Sequence, residues 1–103
     1  MAHLIVLSTC SSKQEAREIA EELVKRKLAA CVNLLRVSSI FRWKGKVQSE
    51  AEWLLLIKTR SQVLRRLKAC ILELHSYEVP EIVACRIVGG LTSYLAWITE
   101  ETS

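Results

Sequence analysis

The chain contains no aspartate: all eleven of its acidic residues are glutamates. That removes EF-hand calcium loops, aspartyl catalytic dyads and aspartate-held magnesium sites from consideration. Asn33 is the sole asparagine, Pro80 the sole proline, and only three glycines occur, at 45, 89 and 90. So little Pro and Gly leaves no flexible linker, and neither a repeat nor a low-complexity stretch interrupts the 103 residues, which fit one domain. The four cysteines, Cys10, Cys31, Cys70 and Cys85, are spaced by 21, 39 and 15 positions and never as C-x-x-C. A zinc-finger or thioredoxin-type motif is therefore unsupported. The opening segment MAHLIVLSTC lacks a basic flank, and its apolar run is only Leu4 to Leu7, too short for a signal peptide or a membrane span. The expectation is a cytoplasmic protein without a membrane partner, its cysteines reduced and mostly buried as small apolar groups.

What is present is a chain 50% hydrophobic and 25% charged, a balance that excludes disorder. The net charge of +4 is moderate, and the basic residues are scattered among glutamates. Arg60, Arg65, Arg66 and Lys68, the densest basic group, read as a solvated helical face and not as a nucleic-acid footprint.

The apolar run Leu4–Leu7 within residues 3–10 predicts a strand buried on both faces. Ser12 and Glu15 form an S-x-x-E capping box, followed by a helix with Ala16, Ile19, Ala20, Leu23 and Val24 on one face. Residues 31–43 and 46–60 predict two long strands joined by a turn at Lys44-Gly45. Ser61 is placed to cap a second helix with the stripe Val63, Leu64, Leu67, Cys70, Ile71 and Leu74. The segment His75–Pro80 breaks it, since a proline disfavours helix in the residue before it. Residues 81–88 read as a fourth strand ended by Gly89-Gly90. Ser93 is expected to cap a C-terminal helix of about two turns. The order βαββαβ plus a short terminal helix is an α+β, ferredoxin-like arrangement with an extended hairpin between its second and third strands.

In that arrangement helices cover one sheet face, so a lone protomer should alternate apolar and polar residues strictly along its strands. Leu4–Leu7, Leu54–Ile57 and Ile82–Ala84 are apolar on both faces instead. Hairpin strands of some 13 residues extend ~40 Å, well beyond the usual strand. Leaving the second face wet would expose a large apolar patch; a closed homo-oligomer, sheet packed on sheet, removes it.

Several segments are similar to one family. Leu28-Ala29-Ala30-Cys31-Val32-Asn33 resembles the KLAACVN start of the second strand of CutA, the divalent-cation tolerance family. Ser39–Lys46 resembles its SIYRWKGK hairpin tip, Trp53–Thr59 (WLLLIKT) its third strand, His75–Glu81 its HPYEVPE loop and Tyr94–Ile98 its YLxWI ending. The match spans nearly the whole chain in order. It departs at Ser76, where the family usually has proline, and at Ser8, where some members have cysteine; Cys10 lies two positions later. The resemblance implies a homotrimer of ferredoxin-like protomers, similar in architecture to PII-type signalling proteins. It also implies a non-enzymatic role in tolerance to copper and other divalent metals.

For copper, thiolate and imidazole are the favoured donors. His75, at a helix end beside Tyr77, Glu78 and Glu81, is expected in an exposed loop, either as a ligand or as a partner of the helix dipole. Cys10, just before a helix, is expected to have a lowered thiol pKa. Cys31, at a strand start, is the third metal candidate, while Cys70 and Cys85 read as packing residues and His3 has no evident partner. Trp43, Lys58, Tyr77, Glu81, Tyr94 and Trp97 resemble positions the family keeps around its subunit clefts. Aromatics with one lysine and one glutamate suit an organic anion or a polar metabolite, the alternative being a PII-like adaptor trimer. A protein partner is not specified by the sequence. Acylphosphatases share the βαββαβ order, but no phosphate-cradling glycine loop accompanies Asn33. Two histidines in these contexts give no Ser-His-acid or Cys-His arrangement.

Overall fold

The computed structural model describes residues 2–103. The elements run β1 (His3–Cys10), α1 (Lys13–Lys25), β2 (Cys31–Trp43), β3 (Lys46–Arg60), a 3₁₀ turn (Ser61–Val63), α2 (Leu64–Leu74), β4 (Val83–Arg86) and α3 (Thr92–Glu101). The four strands form one antiparallel sheet in the order β2-β3-β1-β4. This is the α+β, ferredoxin-like topology that the element order predicts.

The sheet has two unlike faces. On β1, Leu4, Val6, Ser8 and Cys10 are buried, while His3, Ile5, Leu7 and Thr9 are only half-buried. The buried set joins Leu55 and Ile57 of β3, Ala16, Ile19, Ala20 and Leu23 of α1, and Leu67, Cys70 and Ile71 of α2 in a single core. Each large aliphatic side chain fully buried there contributes ~1.5–3 kcal/mol. One buried polar group helps fix the layers: Thr59 Oγ1 donates to the Leu28 carbonyl at 2.7 Å.

The hairpin is the long feature of the molecule. β2 and β3 pair from Cys31↔Lys58 to Trp43↔Lys46, and the longest dimension is 44 Å. Lys44 (φ 50°) and Gly45 (φ 78°) close it, both central residues at the positive φ that a type I′ turn requires.

Several local expectations are corrected. Ser61 does not cap α2: its Oγ accepts the Ala2 N–H at 3.2 Å, and the chain enters the helix through the 3₁₀ turn. Ser93 does not cap α3, which begins at Thr92 and runs ten residues, about three turns. The fourth strand is shorter than residues 81–88, spanning only Val83–Arg86, because it pairs with β1 from Leu4↔Arg86 to Leu7↔Val83 and has no neighbour on its other side. Val24 and Leu74, read as members of apolar faces, are exposed at the margins of their helices. Cys85, read as a packed strand residue, is exposed in the protomer, whereas Cys70 is buried.

α3 packs on β1 and β3 at one end of the second face. It is tied there by a 2.8 Å hydrogen bond between His3 Nε2 and Thr99 Oγ1, and by Arg60, whose Nε donates to Thr102 Oγ1 and whose Nη2 donates to the Thr102 carbonyl, both at 2.7 Å. His3 thus has a partner that the sequence does not reveal. The rest of that face stays uncovered: Leu35 (42% exposed), Trp43 (43%) and Val83 (49%) lie open on it.

Candidate metal site and adjoining cleft

α2 ends at Leu74, and the next residue turns into extended backbone (φ −79°, ψ 138°) while its N–H still donates to the Ile71 carbonyl. That turn folds the His75 ring back under the sheet end. Its Nε2 donates to the Thr9 carbonyl at 2.7 Å, and the Tyr77 backbone N–H donates to its Nδ1 at 3.0 Å. The side chain is 0% exposed. This corrects the expectation of a loop histidine displayed to solvent; both ring nitrogens are occupied inside the protein.

Two further groups converge on the ring. Cys10, the last residue of β1, points inward and places Sγ 3.7 Å from His75 Nε2. Glu15, in the first turn of α1, places Oε2 3.5 Å from His75 Nδ1. One donor atom from each of Cys10, Glu15 and His75 lies within 4.8 Å of the others. The Glu15 N–H donates to Ser12 Oγ at 3.2 Å, as the capping box predicts, but the carboxylate turns toward the histidine. Its Oε2 is buried with no hydrogen-bond partner.

Burial pushes the Cys10 thiol up to about 12, and the Glu15 charge, a hydrogen bond from the thiol to the Glu15 side chain and the Glu52 charge add to the shift. The lowering expected from the helix N-terminus is overturned: desolvation and a neighbouring carboxylate both disfavour a thiolate. The chain order of contacts, thiol to Nε2 and Nδ1 to carboxylate, resembles a nucleophile triad that is not legible in the sequence. Its protonation is wrong for that work. Nε2 already carries the proton it gives to Thr9, so it cannot take one from a thiol that is itself shut away from solvent.

Cys31 does not join this cluster. It lies opposite Lys58 at the far end of the hairpin, beside Tyr94, whose phenol is raised by burial first and then by Cys31. Tyr94 and Trp97 stack at 5.5 Å on α3. Of the six residues expected around subunit clefts, three line a cleft of the single protomer. Trp43, Tyr77 and Glu81 line a cleft of about 730 Å³ along the uncovered side of the hairpin, while Lys58, Tyr94 and Trp97 lie outside it. Tyr77 Oη donates to the buried Glu52 at 2.7 Å at the base of this cleft, and burial with that carboxylate holds its phenol above the usual range. Glu50, Glu52, Glu78 and Glu81 line the cleft and no basic side chain does.

Sequence reasoning missed Glu15 as a site residue. Its position three after Ser12 signalled a cap and nothing more; only the return of the chain at His75 gives its carboxylate a second neighbour.

A four-stranded antiparallel sheet with two helices on one face and an overlong hairpin define a ferredoxin-like protein, with a buried thiol, carboxylate and imidazole gathered at one sheet end. The family described as CutA1 divalent ion tolerance protein matches residues 4–101, and the chain belongs to the CutA family. It is 46% identical over 99 residues to the divalent-cation tolerance protein CutA of Thermus thermophilus, covering 95% of this chain and 96% of that one. The solved structure of the Thermus thermophilus protein superposes with a TM-score of 0.96 at 45% identity, covering 98% of this chain and 99% of that one. An Archaeoglobus fulgidus structure, described as a periplasmic divalent cation tolerance protein CutA, gives 0.96 at 38% identity and covers 98% of this chain and 99% of that one. Human protein CutA is 40% identical over 95 residues, 91% of this chain, which spans only 53% of that protein's length. The chain likewise spans 55% of the Arabidopsis thaliana chloroplastic protein CutA.

Proposed function

We propose that this protein is a non-enzymatic homotrimer that contributes to divalent-cation tolerance by binding the ion, copper being the first ion to test. The observation that carries this reading is the convergence of Cys10, Glu15 and His75 within 4.8 Å in a chain of the divalent-ion tolerance family. Sulfur, carboxylate oxygen and imidazole nitrogen together make a donor set for transition metals.

Three-fold assembly is supported by the uncovered sheet face. Leu35, Phe41, Trp43 and Val83 are exposed on one protomer, and together with half-buried Ile5, Leu7, Leu54 and Leu56 they form the surface a second copy would cover. Among the described residues no helix is long and apolar enough to cross a membrane. A cytoplasmic setting suits the four unpaired thiols.

A copper titration of the purified oligomer tests the reading. Binding of one ion per chain, lost in His75→Ala, is the expected result; stoichiometry well below one refutes direct binding. The adaptor alternative rests on the hairpin cleft, whose acidic, aromatic lining would favour a cationic metabolite. Thermal stabilisation of the oligomer by such a compound without metal would support it.

A further inference from the structure

We propose that the hairpin cleft is a binding site for a linear polyamine, the Glu52 carboxylate at its base anchoring one ammonium group. The assignment rests on the cationic-cleft reading above, names its ligand class, and is independent of metal binding at Cys10, Glu15 and His75.

A buried charge lacks its opposite. Glu52 sits two residues after Glu50 on β3, so both side chains leave the strand on the same face. Glu52 is only 6% exposed. Tyr77 Oη donates to its Oε2 at 2.7 Å. Among the described residues no lysine, arginine or histidine nitrogen lies within 4.0 Å of it. A carboxylate held out of water by one neutral donor, with no opposite charge beside it, carries a desolvation cost that a cation would offset. Glu52 lines the cleft, so a cation entering from solvent reaches it.

The walls decide what kind of cation. Phe41, Trp43 and Tyr77 present aromatic rings, and Ile40 and Val79 add aliphatic surface. Aromatic faces attract ammonium groups, and aliphatic side chains suit a methylene chain. A divalent metal, which takes oxygen ligands in a close shell, gains little from such walls. Glu50, Glu78 and Glu81 are exposed around the same cleft. Negative charge is thus laid out at two depths, Glu52 at the base and three carboxylates toward solvent. A flexible chain with an ammonium at each end satisfies both; a monoamine satisfies only one. The volume of about 730 Å³ falls within the range of small-molecule sites. Four of the chain's eleven glutamates gather here although the net charge is +4, so the acidity belongs to this cleft and not to the surface at large.

The experiment titrates the full chain, in the assembly it forms, with spermidine, butylamine and magnesium ion by isothermal calorimetry. Spermidine is expected to bind, with butylamine ~5-fold or more weaker and equimolar magnesium failing to displace it. Glu52→Gln, whose amide oxygen still accepts the Tyr77 hydroxyl, is expected to weaken spermidine ~10–100-fold. Glu81→Gln is expected to weaken it ~2–5-fold. The ranking of the three ligands on the unmodified protein decides the matter even if a variant fails to fold. Butylamine binding as tightly as spermidine, or unchanged spermidine affinity in Glu52→Gln, overturns the polyamine assignment while a cationic cleft stands. Displacement by equimolar magnesium overturns it in favour of a metal. Spermidine binding that appears only in Lys58→Gln gives the Glu52 charge to a lysine of a second copy and overturns it too. Failure of both amines, with and without Lys58, overturns this inference and the cleft reading together.

Discussion

Leu54 and Leu55 are neighbours of the same residue type on one strand, yet they meet different environments. Leu55 is fully buried between sheet and helices, whereas Leu54 is half-buried on the face that no helix of the protomer covers. The first face closes on itself through α1 and α2. The second is as greasy in sequence but is sealed by α3 only near His3, Arg60 and Thr102. Hydrophobic patterning states which surfaces must leave water; it does not state whether the same chain or another copy does the covering.

The largest expected effect comes from cutting the closed face. Leu55→Ala should cost ~2–5 kcal/mol, as buried leucine truncations do, and equilibrium denaturation should show it at any protein concentration. Leu54→Ala should cost less in the protomer and instead make stability concentration-dependent; an equal, concentration-independent loss for both would break the comparison.

The second effect is a pH dependence at the Cys10 end of the closed face. Cys10 is held as a thiol, its pKa moving from 9.0 to about 12 on folding. The unfolded chain binds fewer protons in that window, so stability from this group is intact below pH 9 and is lost as pH rises toward 12, by ~4 kcal/mol at most. Denaturation midpoints between pH 8 and 11 should fall, and Cys10→Ser should flatten the fall by its share, Tyr77, Cys70 and Tyr94 contributing in the same direction.

Smaller effects sharpen the picture. Thr59→Val, which leaves the Leu28 carbonyl without its buried donor, should cost ~1–3 kcal/mol. Ser12→Ala, which removes the cap on α1, should cost ~1 kcal/mol, readable by thermal melting.

The parts of the fold that the sequence discloses are those decided locally or by strong periodicity. The Lys44-Gly45 turn, the Ser12 cap and the strand at residues 3–10 need only neighbouring residues. Ser61 and Ser93 looked equally like caps, but the Ala2 N–H competes for one hydroxyl and the other sits inside α3. The cluster of Cys10, Glu15 and His75 shows the same limit. His75 and Cys10 were legible as donors because their chemistry is in the residue type. Their contact spans 65 positions, and the role of Glu15 exists only once that contact is made. Cys31 carried the same chemical label and lies at the other end of the hairpin. Within the protomer, Trp43 and Tyr77 line one cleft along the hairpin, and Lys58 lies opposite Cys31 at its base.

Native mass spectrometry of the intact protein at micromolar concentration tests most directly whether the open sheet face is an interface between copies. A particle of three chains that dissociates on mutation of Leu54 is the predicted result. A stable single-chain particle, soluble with that face bare, would contradict it.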